Sequence, residues 1–142
     1  LDGKKTAALV QEAIAEEVRQ IVAKGHRPPH LVAILVGNNG ASMTYVNNKV
    51  TACERVGFAS SVVNLPEDIS QEALLEEIEK LNKDKSIDGF IVQLPLSKHI
   101  NEQEVLLTVN PDKDADGFHP TNFGRMALGL DAFIPATPYG IL

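Results

Sequence analysis

The sequence has a single cysteine, few basic residues and no apolar stretch long enough to span a membrane. One cysteine forms neither an internal disulfide nor a metal cluster, so we interpret Cys53 as a reduced thiol in the core. A reactive thiol is the less favoured alternative, because no histidine lies beside Cys53 in the sequence. The first five residues lack the apolar segment of a secretory signal. We therefore expect a cytoplasmic protein without a membrane anchor.

Acidic residues outnumber basic ones, with 19 Asp and Glu against 13 Lys and Arg and a formal net charge of -6. Nucleic-acid surfaces need concentrated Lys and Arg, and here these residues are scattered, so we expect no nucleic-acid partner. No metal site is expected either, because the histidines lack the spacing of zinc ligands: His26, His30, His99 and His119. The 142 residues, 44% of them hydrophobic, suffice for one globular domain with a core.

Helical and extended patterns alternate along the chain. Apolar runs predict three strands, at 31–36, 60–65 and 88–94, and Pro95 interrupts the last. Amphipathic patterns and capping residues predict helices at 2–24, at 41–56, after Ser70 and at about 101–108, followed by a polar turn at 110–117. Strands that alternate with helices need crossover connections. We therefore predict an α/β fold, a three-layer α/β/α domain with a mostly parallel sheet.

Lys49 is a charged residue at an apolar position of the predicted helix 41–56. The inward face of this helix is predicted from its spacing to contain Tyr45, Lys49, Ala52, Cys53 and Val56. A lysine on the core side must pair, reach a wet cleft or lose its proton, and Tyr45 lies where both side chains can point at one ligand. The alternative, given equal weight, is a tyrosine that packs its ring and a lysine that extends to solvent.

Gln93 is a neutral amide near the end of the apolar run 88–94. A buried amide must be hydrogen-bonded, either as a clamp on a neighbouring loop or as part of a site. Ligands of parallel α/β sheets bind at the carboxyl ends of the strands, and this position favours the second interpretation. The loop after 31–36 and the turn 110–117 are expected to reach the same edge.

Three aspartates alternate in the polar turn, at Asp112, Asp114 and Asp116. A calcium loop counted from Asp112 would need Glu at its twelfth position, where Phe123 stands, so a calcium loop is excluded. Two interpretations stay open. The turn is either solvated and held by Asx hydrogen bonds, or it presents one carboxylate, most plausibly Asp116, to paired N–H donors of a heterocycle.

Four segments of the chain carry a combined resemblance to a known family. They are 36–49 (VGNNGASMTYVNNK), 88–96 (DGFIVQLPL), 111–122 (PDKDADGFHPTN) and 135–138 (PATP). In this order they resemble the bifunctional methylenetetrahydrofolate dehydrogenase/cyclohydrolase family, and the resemblance covers essentially the whole chain. Two residues depart from the usual family pattern: Gly40 stands in place of proline and Ala115 in place of valine.

The resemblance implies a role for individual residues. Lys49 matches the general acid/base of the hydrolytic step, and Gln93 matches the amide that hydrogen-bonds to it. Tyr45 matches the residue that stacks on the folate, and Asp116 matches the carboxylate that holds the amino and ring N–H groups of the pterin. Val92 and Leu94 are expected to add backbone and apolar contacts beside Gln93.

The resemblance also implies a larger protein. Residues 1–142 are expected to form its folate-binding catalytic domain, and NADP or NAD is expected on a separate Rossmann domain that these residues lack, because they contain no glycine-rich dinucleotide turn. A fragment ending at the interdomain helix should expose apolar surface. The implied substrate is a tetrahydrofolate derivative of one-carbon metabolism and purine biosynthesis, and the implied full-length assembly is a homodimer.

Two other functions compete with this one. The spacing Tyr45-x-x-x-Lys49 also occurs in short-chain dehydrogenases, but those proteins carry a glycine-rich nucleotide turn earlier in the same domain, and none precedes Tyr45 here. The second alternative is an isolated folate-binding or interaction module without turnover of its own.

Overall fold

The computed structural model describes residues 2–135 of the chain. Within that range three β-strands alternate with α-helices, and a short 3-10 helix precedes the last α-helix. In chain order the elements are α1 (Gly3–Ala23), β1 (His30–Val36), α2 (Gly40–Val56), β2 (Ala59–Leu65), α3 (Gln71–Lys83), β3 (Gly89–Val92), α4 (Glu102–Thr108), the 3-10 helix (Pro111–Lys113) and α5 (Pro120–Ala127). The predicted interdomain helix, and the motif 135–138 beyond Pro135, lie outside the described residues.

The three strands form one parallel sheet in the order β2, β1, β3. Pairing of β1 with β2 runs from His30 opposite Ala59 to Val36 opposite Leu65, and β3 pairs with the other side of β1. Because all three strands run in the same direction, their carboxyl ends meet at one edge of the sheet. The predicted α/β class is confirmed.

Helices cover both faces of the sheet, because successive side chains of β1 point to opposite faces. Ile34 lies in one buried cluster with Leu74 and Ile78 of α3, whereas Leu35 lies in a second cluster with Val46 of α2. Full burial of an aliphatic side chain such as Ile34 contributes about 1.5–3 kcal/mol. The predicted three-layer arrangement is therefore confirmed, with α2 and α3 on opposite sides of the sheet.

The predicted strand 88–94 is wrong at its ends, since β3 covers only Gly89–Val92. Asp88 instead ties the start of the strand to the chain before β1, because its carboxylate accepts hydrogen bonds from the Arg27 guanidinium at 2.6 and 3.1 Å and from the His30 backbone N–H at 2.8 Å. At the other end the Gln93 backbone N–H still donates to the Ile34 carbonyl at 2.9 Å. Pro95 has no N–H with which to continue the ladder.

Two short helices after residue 110 are absent from the sequence-based prediction. The 3-10 helix lies inside the predicted polar turn, and α5 follows it. Proline occupies the first position of α5, and the His119 side chain caps its N-terminus by accepting a hydrogen bond from the Thr121 N–H at 3.1 Å. With eight residues, α5 is too short to show a convincing apolar period.

α1 packs on α2 but leaves part of its apolar surface in solvent. Ala15 and Val18 are buried, whereas Leu9, Val10 and Val22 are exposed. Among residues 2–135, no helix combines the length and the hydropathy needed to cross a bilayer.

Candidate active site

Side chains from three separate segments meet at the carboxyl edge of the sheet. The Lys49 Nζ lies 3.4 Å from the Gln93 Oε1, to which it donates a hydrogen bond, and 3.8 Å from the Asp116 Oδ1. Lys49 comes from the middle of α2, Gln93 directly follows β3, and Asp116 lies in the turn between the 3-10 helix and α5. The predicted convergence of these three residues is therefore present in the structure.

The position of Lys49 is set by the buried stripe of α2. The helix begins firmly because the Asn39 Oδ1 accepts hydrogen bonds from two N–H groups of the first turn, and it ends at Gly57, whose φ of 85° few other residues tolerate. Four residues of the helix are buried along one face: Ser42, Val46, Cys53 and Val56. Lys49 falls within this face, and its side chain is 38% exposed. The interpretation of Cys53 as a core residue agrees with its burial, which raises the pKa of its thiol.

Tyr45 does not lie on the inward face, contrary to the prediction. The buried stripe passes through Val46 instead, and a step of one residue rotates a helical side chain by roughly 100°. Tyr45 is consequently 62% exposed. Its ring stands on the solvent side of α2, one turn before Lys49, where it is open to a ligand.

Gln93 presents its carbonyl oxygen to Lys49. The amide Nε2 donates to the Leu94 carbonyl at 2.9 Å, so its nitrogen is held on the side away from the lysine. The backbone N–H of Gln93 is anchored on β1, as described above. Both anchors fix the side chain, and an ammonium donor meets an oriented acceptor.

Asp116 is a mostly buried carboxylate in a closed turn. The Gly117 N–H donates to the Asp114 carbonyl at 3.1 Å, and Gly117 has a φ of 70°. Burial is the main cause that raises the pKa of the Asp116 carboxyl; the nearby Lys49 ammonium opposes this rise, and Asp114 adds to it. The pair of Lys49 and Asp116 thus offsets part of the cost of holding a carboxylate away from water.

The structure gives the three aspartates, of which the sequence favoured Asp116, different surroundings. Asp112 is exposed, Asp114 is 5% exposed and bonded within the fold, and Asp116 faces Lys49. Asp114 is buried and accepts from backbone N–H groups four and five residues on, so a solvated turn with Asx hydrogen bonds does not describe it. Asp116 is the aspartate whose carboxylate faces Lys49.

Val92 and Leu94 flank Gln93 but differ from the expected contacts. Val92 is 3% exposed and packs in the core between the sheet and α3, so its backbone rather than its side chain lies toward the site. Leu94 packs against the same cluster while its carbonyl holds the Gln93 amide. Alternation along the strand explains the difference, because the neighbours of an outward-facing Gln93 must face the opposite way.

A cleft of about 410 Å³ opens at the same edge of the sheet. Its walls come from the loops that follow β1, β2 and β3 and include Asn38, Glu67 and Pro95. Parallel sheets place their ligand sites at this edge. Lys49, Gln93 and Asp116 are not among its lining residues, so the cleft shares the sheet edge with the cluster but is a separate depression.

The histidines lie outside this cluster. His30 bonds to the Ser61 hydroxyl, His99 bonds to the Ile69 carbonyl, and His119 caps α5. Among residues 2–135, no group of three or more His, Cys, Asp or Glu side chains is arranged to hold a metal ion.

Comparison with known proteins identifies the family. Residues 1–116 match the model of a family described as tetrahydrofolate dehydrogenase/cyclohydrolase, catalytic domain. The chain belongs to this family. The spacing shared with short-chain dehydrogenases is therefore coincidental, and the alternative of an isolated folate-binding or interaction module without turnover is not favoured.

Curated relatives of the tetrahydrofolate dehydrogenase/cyclohydrolase family match the chain from end to end. The bifunctional protein FolD of Flavobacterium johnsoniae is 60% identical over 142 residues, which are 100% of this chain and 48% of that protein. The bifunctional protein FolD of Cytophaga hutchinsonii is 56% identical over 142 residues, 100% of this chain and 49% of that protein. The chain spans about half the length of the curated relatives that it matches.

Solved structures of the family share the fold. The bifunctional FolD enzyme of Campylobacter jejuni superposes with a TM-score of 0.94 at 45% identity, over 99% of this chain and 50% of that one. The Trypanosoma brucei methylenetetrahydrofolate dehydrogenase-cyclohydrolase, complexed with NADP cofactor and an inhibitor, gives a TM-score of 0.91 at 34% identity, over 96% of this chain and 47% of that one. The described fold is therefore that of the family's catalytic domain.

Proposed function

We propose that residues 1–142 form the folate-binding catalytic half of a bifunctional methylenetetrahydrofolate dehydrogenase/cyclohydrolase. Such an enzyme oxidises 5,10-methylenetetrahydrofolate with NADP or NAD and hydrolyses the resulting methenyl compound to 10-formyltetrahydrofolate. The observation that carries the proposal is the cluster of Lys49, Gln93 and Asp116, with Nζ-to-oxygen distances of 3.4 and 3.8 Å. Family membership gives the chemistry, and the cluster supplies the groups that it needs.

Each side chain has a distinct task in binding. The Asp116 carboxylate accepts two N–H donors from the amino and ring groups of the pterin, a charge-assisted pairing that a mostly buried carboxylate makes strongly. The exposed ring of Tyr45 stacks on the folate. The Leu94 carbonyl, and the Val92 backbone beside Gln93, lie at the rim of the same edge.

Lys49 carries the hydrolytic step. Water attacks the carbon that bridges N5 and N10 of the methenyl cation, and the uncharged amine of Lys49 takes a proton as the C–O bond forms. The bond between this carbon and N5 then breaks, and the formyl group stays on N10. Of the two water protons, one ends on N5 and the other leaves to solvent through Lys49. The Oε1 of Gln93 holds the Lys49 side chain in place through its hydrogen bond.

The nicotinamide cofactor does not fit the described residues. The turn between β1 and α2 reads Gly37-Asn38-Asn39-Gly40, which lacks the Gly-x-Gly-x-x-Gly pattern that lets a backbone approach a pyrophosphate. We assign the NADP or NAD site to the half of the enzyme that these residues do not include. The part of these residues in hydride transfer is to hold the folate.

Several finer features belong to the same proposal. The enzyme acts in one-carbon metabolism and supplies formyl groups for purine biosynthesis, in the cytoplasm, as a full-length homodimer. The acidic net charge supports a protein that does not bind nucleic acid. Its partner is a small-molecule folate, with no membrane association.

Calorimetric titration of the chain with 5-formyltetrahydrofolate tests the folate site. Removal of the carboxylate in Asp116→Ala should weaken binding by about 10-fold or more, since a hydrogen bond to a charged group contributes about 1.5–3 kcal/mol. Asp112→Ala, in the same turn but exposed, is the matched control and should bind like the unmodified chain. Equal heats from the Asp116→Ala chain and the unmodified chain would refute the site.

A further inference from the structure

Asp114 is a buried carboxylate that the proposed chemistry does not use. Its Oδ2 accepts hydrogen bonds from the His119 N–H at 2.8 Å and from the Asn122 Nδ2 at 2.9 Å, and its Oδ1 accepts from the Phe118 N–H at 3.3 Å. Three N–H donors thus converge on one carboxylate that is 5% exposed. These bonds fix the backbone at residues 118 and 119, which supplies two of the donors, and hold the Asn122 side chain that supplies the third.

Asn122 extends this network to the 3-10 helix. It is 4% exposed, and its Nδ2 also donates to the Pro111 carbonyl at 2.9 Å. The two donors of one amide therefore join the start of the 3-10 helix to Asp114, from a position on α5. Together Asp114 and Asn122 connect the turn 114–117 to the 3-10 helix and to α5.

The backbone of Asp114 is anchored to the sheet. Asp114 forms an isolated parallel bridge with Phe90, and the Ala115 N–H reaches the Phe90 carbonyl at 3.4 Å. Phe90 lies on β3, three residues before Gln93. The turn that contains Asp116 is therefore attached to β3, the same strand that positions the Gln93 amide facing Lys49.

Gly117 removes the remaining freedom of the turn. A Cβ at this position would lie 2.7 Å from the Phe133 carbonyl oxygen, so the segment at 133–135 closes over the turn on the other side. Asp116 is the third residue of the turn that the Gly117 N–H and Asp114 carbonyl close. Its carboxylate can face Lys49 only while the turn keeps this shape.

We propose that Asp114 and Asn122 are positioning residues that hold the Asp116 carboxylate opposite Lys49. Their catalytic consequence rests on the function proposed above for Asp116. The geometric claim is independent of folate: loss of the Asp114 network lets the turn relax, and the two charged groups separate. A purely structural role predicts lower stability with the Lys49–Asp116 distance unchanged.

A double-mutant cycle in the free chain distinguishes the two roles. The pKa of the Asp116 carboxyl is followed by the carbon-13 chemical shift of its side chain as pH changes. Lys49→Met removes the ammonium and should raise this pKa. The same change made in the Asp114→Asn background should raise it by about half as much or less, because doubling the separation of two charges halves their coulombic energy.

The double-mutant cycle distinguishes a change in the Lys49–Asp116 separation from the loss of the Asp114 charge. Asp114→Asn also removes a negative neighbour of Asp116, but this effect is present with and without Lys49 and cancels in the difference. Among the described residues, Lys49 and Asp114 are the charged groups that act on the Asp116 carboxyl. Asp112→Asn makes the same chemical change two residues earlier, at an exposed carboxyl, and should leave the effect of Lys49→Met unchanged.

A second variant guards against failure of Asp114→Asn to fold. Asn122→Ala keeps the carboxylate and its two backbone donors and removes only the link to α5 and the 3-10 helix. It should reduce the effect of Lys49→Met in the same direction. If that effect is undiminished in the folded Asp114 and Asn122 variants, the inference is wrong.

Binding of 5-formyltetrahydrofolate separates the inference from the proposed function. If the unmodified chain binds 5-formyltetrahydrofolate, Asp114→Asn alone should weaken its affinity several-fold. Added to the Asp116→Ala chain, the same substitution should cause no further loss of affinity. Equal weakening in both backgrounds contradicts positioning through Asp116. If the unmodified chain fails to bind while the titration cycle shows the expected loss of coupling, the positioning inference stands and the proposed function fails.

Discussion

Removal of the Lys49 ammonium should destabilise the fold in a pH-dependent way. The folded-state pKa of Asp116 is raised above its ordinary value of about 3.8, so the folded chain binds this proton more tightly than the unfolded chain. Stability from this group therefore falls as pH rises from about 3.8 through the folded-state pKa. Lys49 limits the fall, and Lys49→Met should deepen it.

The magnitude follows from the geometry of the pair. The Nζ and Oδ1 are 3.8 Å apart, and the two side chains are 38% and 22% exposed. Unit charges near this separation interact by about 4 kcal/mol at an effective dielectric constant of 20 and about 1 kcal/mol in bulk water. Partial exposure and salt screening bring the expected effect to about 1 kcal/mol.

Urea denaturation of the unmodified chain and of Lys49→Met, at pH 7 and at pH 3, measures the effect. Lys49→Met should lower the free energy of unfolding by about 1 kcal/mol more at pH 7 than at pH 3, where Asp116 is protonated. Comparison across pH cancels the apolar burial gained by methionine on the α2 stripe. Asp116→Asn is the control, and in its background the pH dependence of the Lys49→Met effect should vanish. An identical effect at both pH values would refute the coupling of Lys49 to Asp116.

Three further outcomes are expected. In a full-length enzyme joined to its cofactor half, Lys49→Met should abolish most hydrolysis of 5,10-methenyltetrahydrofolate and spare more of the NADP-dependent oxidation; equal loss of both activities in steady-state assays contradicts the assigned step. Tyr45→Ala should change the free energy of unfolding by less than about 0.5 kcal/mol, because the ring is exposed, and should weaken 5-formyltetrahydrofolate binding about 2- to 10-fold in calorimetry; unchanged affinity contradicts stacking. Gly117→Ala should cost about 2 kcal/mol or more in urea denaturation, because its φ is 70° and the new Cβ would meet the Phe133 carbonyl at 2.7 Å, whereas Gly40→Ala has open space and serves as the comparison.

The sequence was sufficient for the layers of the fold because they depend on local patterns. Continuous apolar runs mark strands that are buried on both faces, and the run 31–36 became the central strand β1. A capping residue located the start of α3 equally well, since the Ser70 hydroxyl accepts a hydrogen bond from the Ala73 N–H. α5 was not predicted, because its N-cap is a histidine and its one buried residue, Asn122, is polar, so its sequence shows no apolar stripe.

The candidate site was harder to predict, because its geometry depends on contacts between distant segments. A charge in an apolar stripe located Lys49. The spacing did not identify every inward-facing residue of α2, however, since Val46 rather than Tyr45 is buried. The sequence favoured Asp116 as the presented carboxylate but gave no sign that Asp114 is a buried anchor. Only the bridge to Phe90 and the closure of the turn at Gly117 distinguish the buried anchor from the carboxylate at the site.

The contact between the Gln93 amide and the Leu94 carbonyl has a consequence for the energetics of ligand binding. A glutamine side chain is nearly symmetric in shape but not in polarity, and a free one would present its oxygen or its nitrogen with little preference. Here the Gln93 Nε2 is bonded to the Leu94 carbonyl, so the Oε1 already faces Lys49 in the free chain. A ligand that needs this acceptor therefore meets it without reorienting the amide, and the entropy of that choice is a cost of folding rather than of binding.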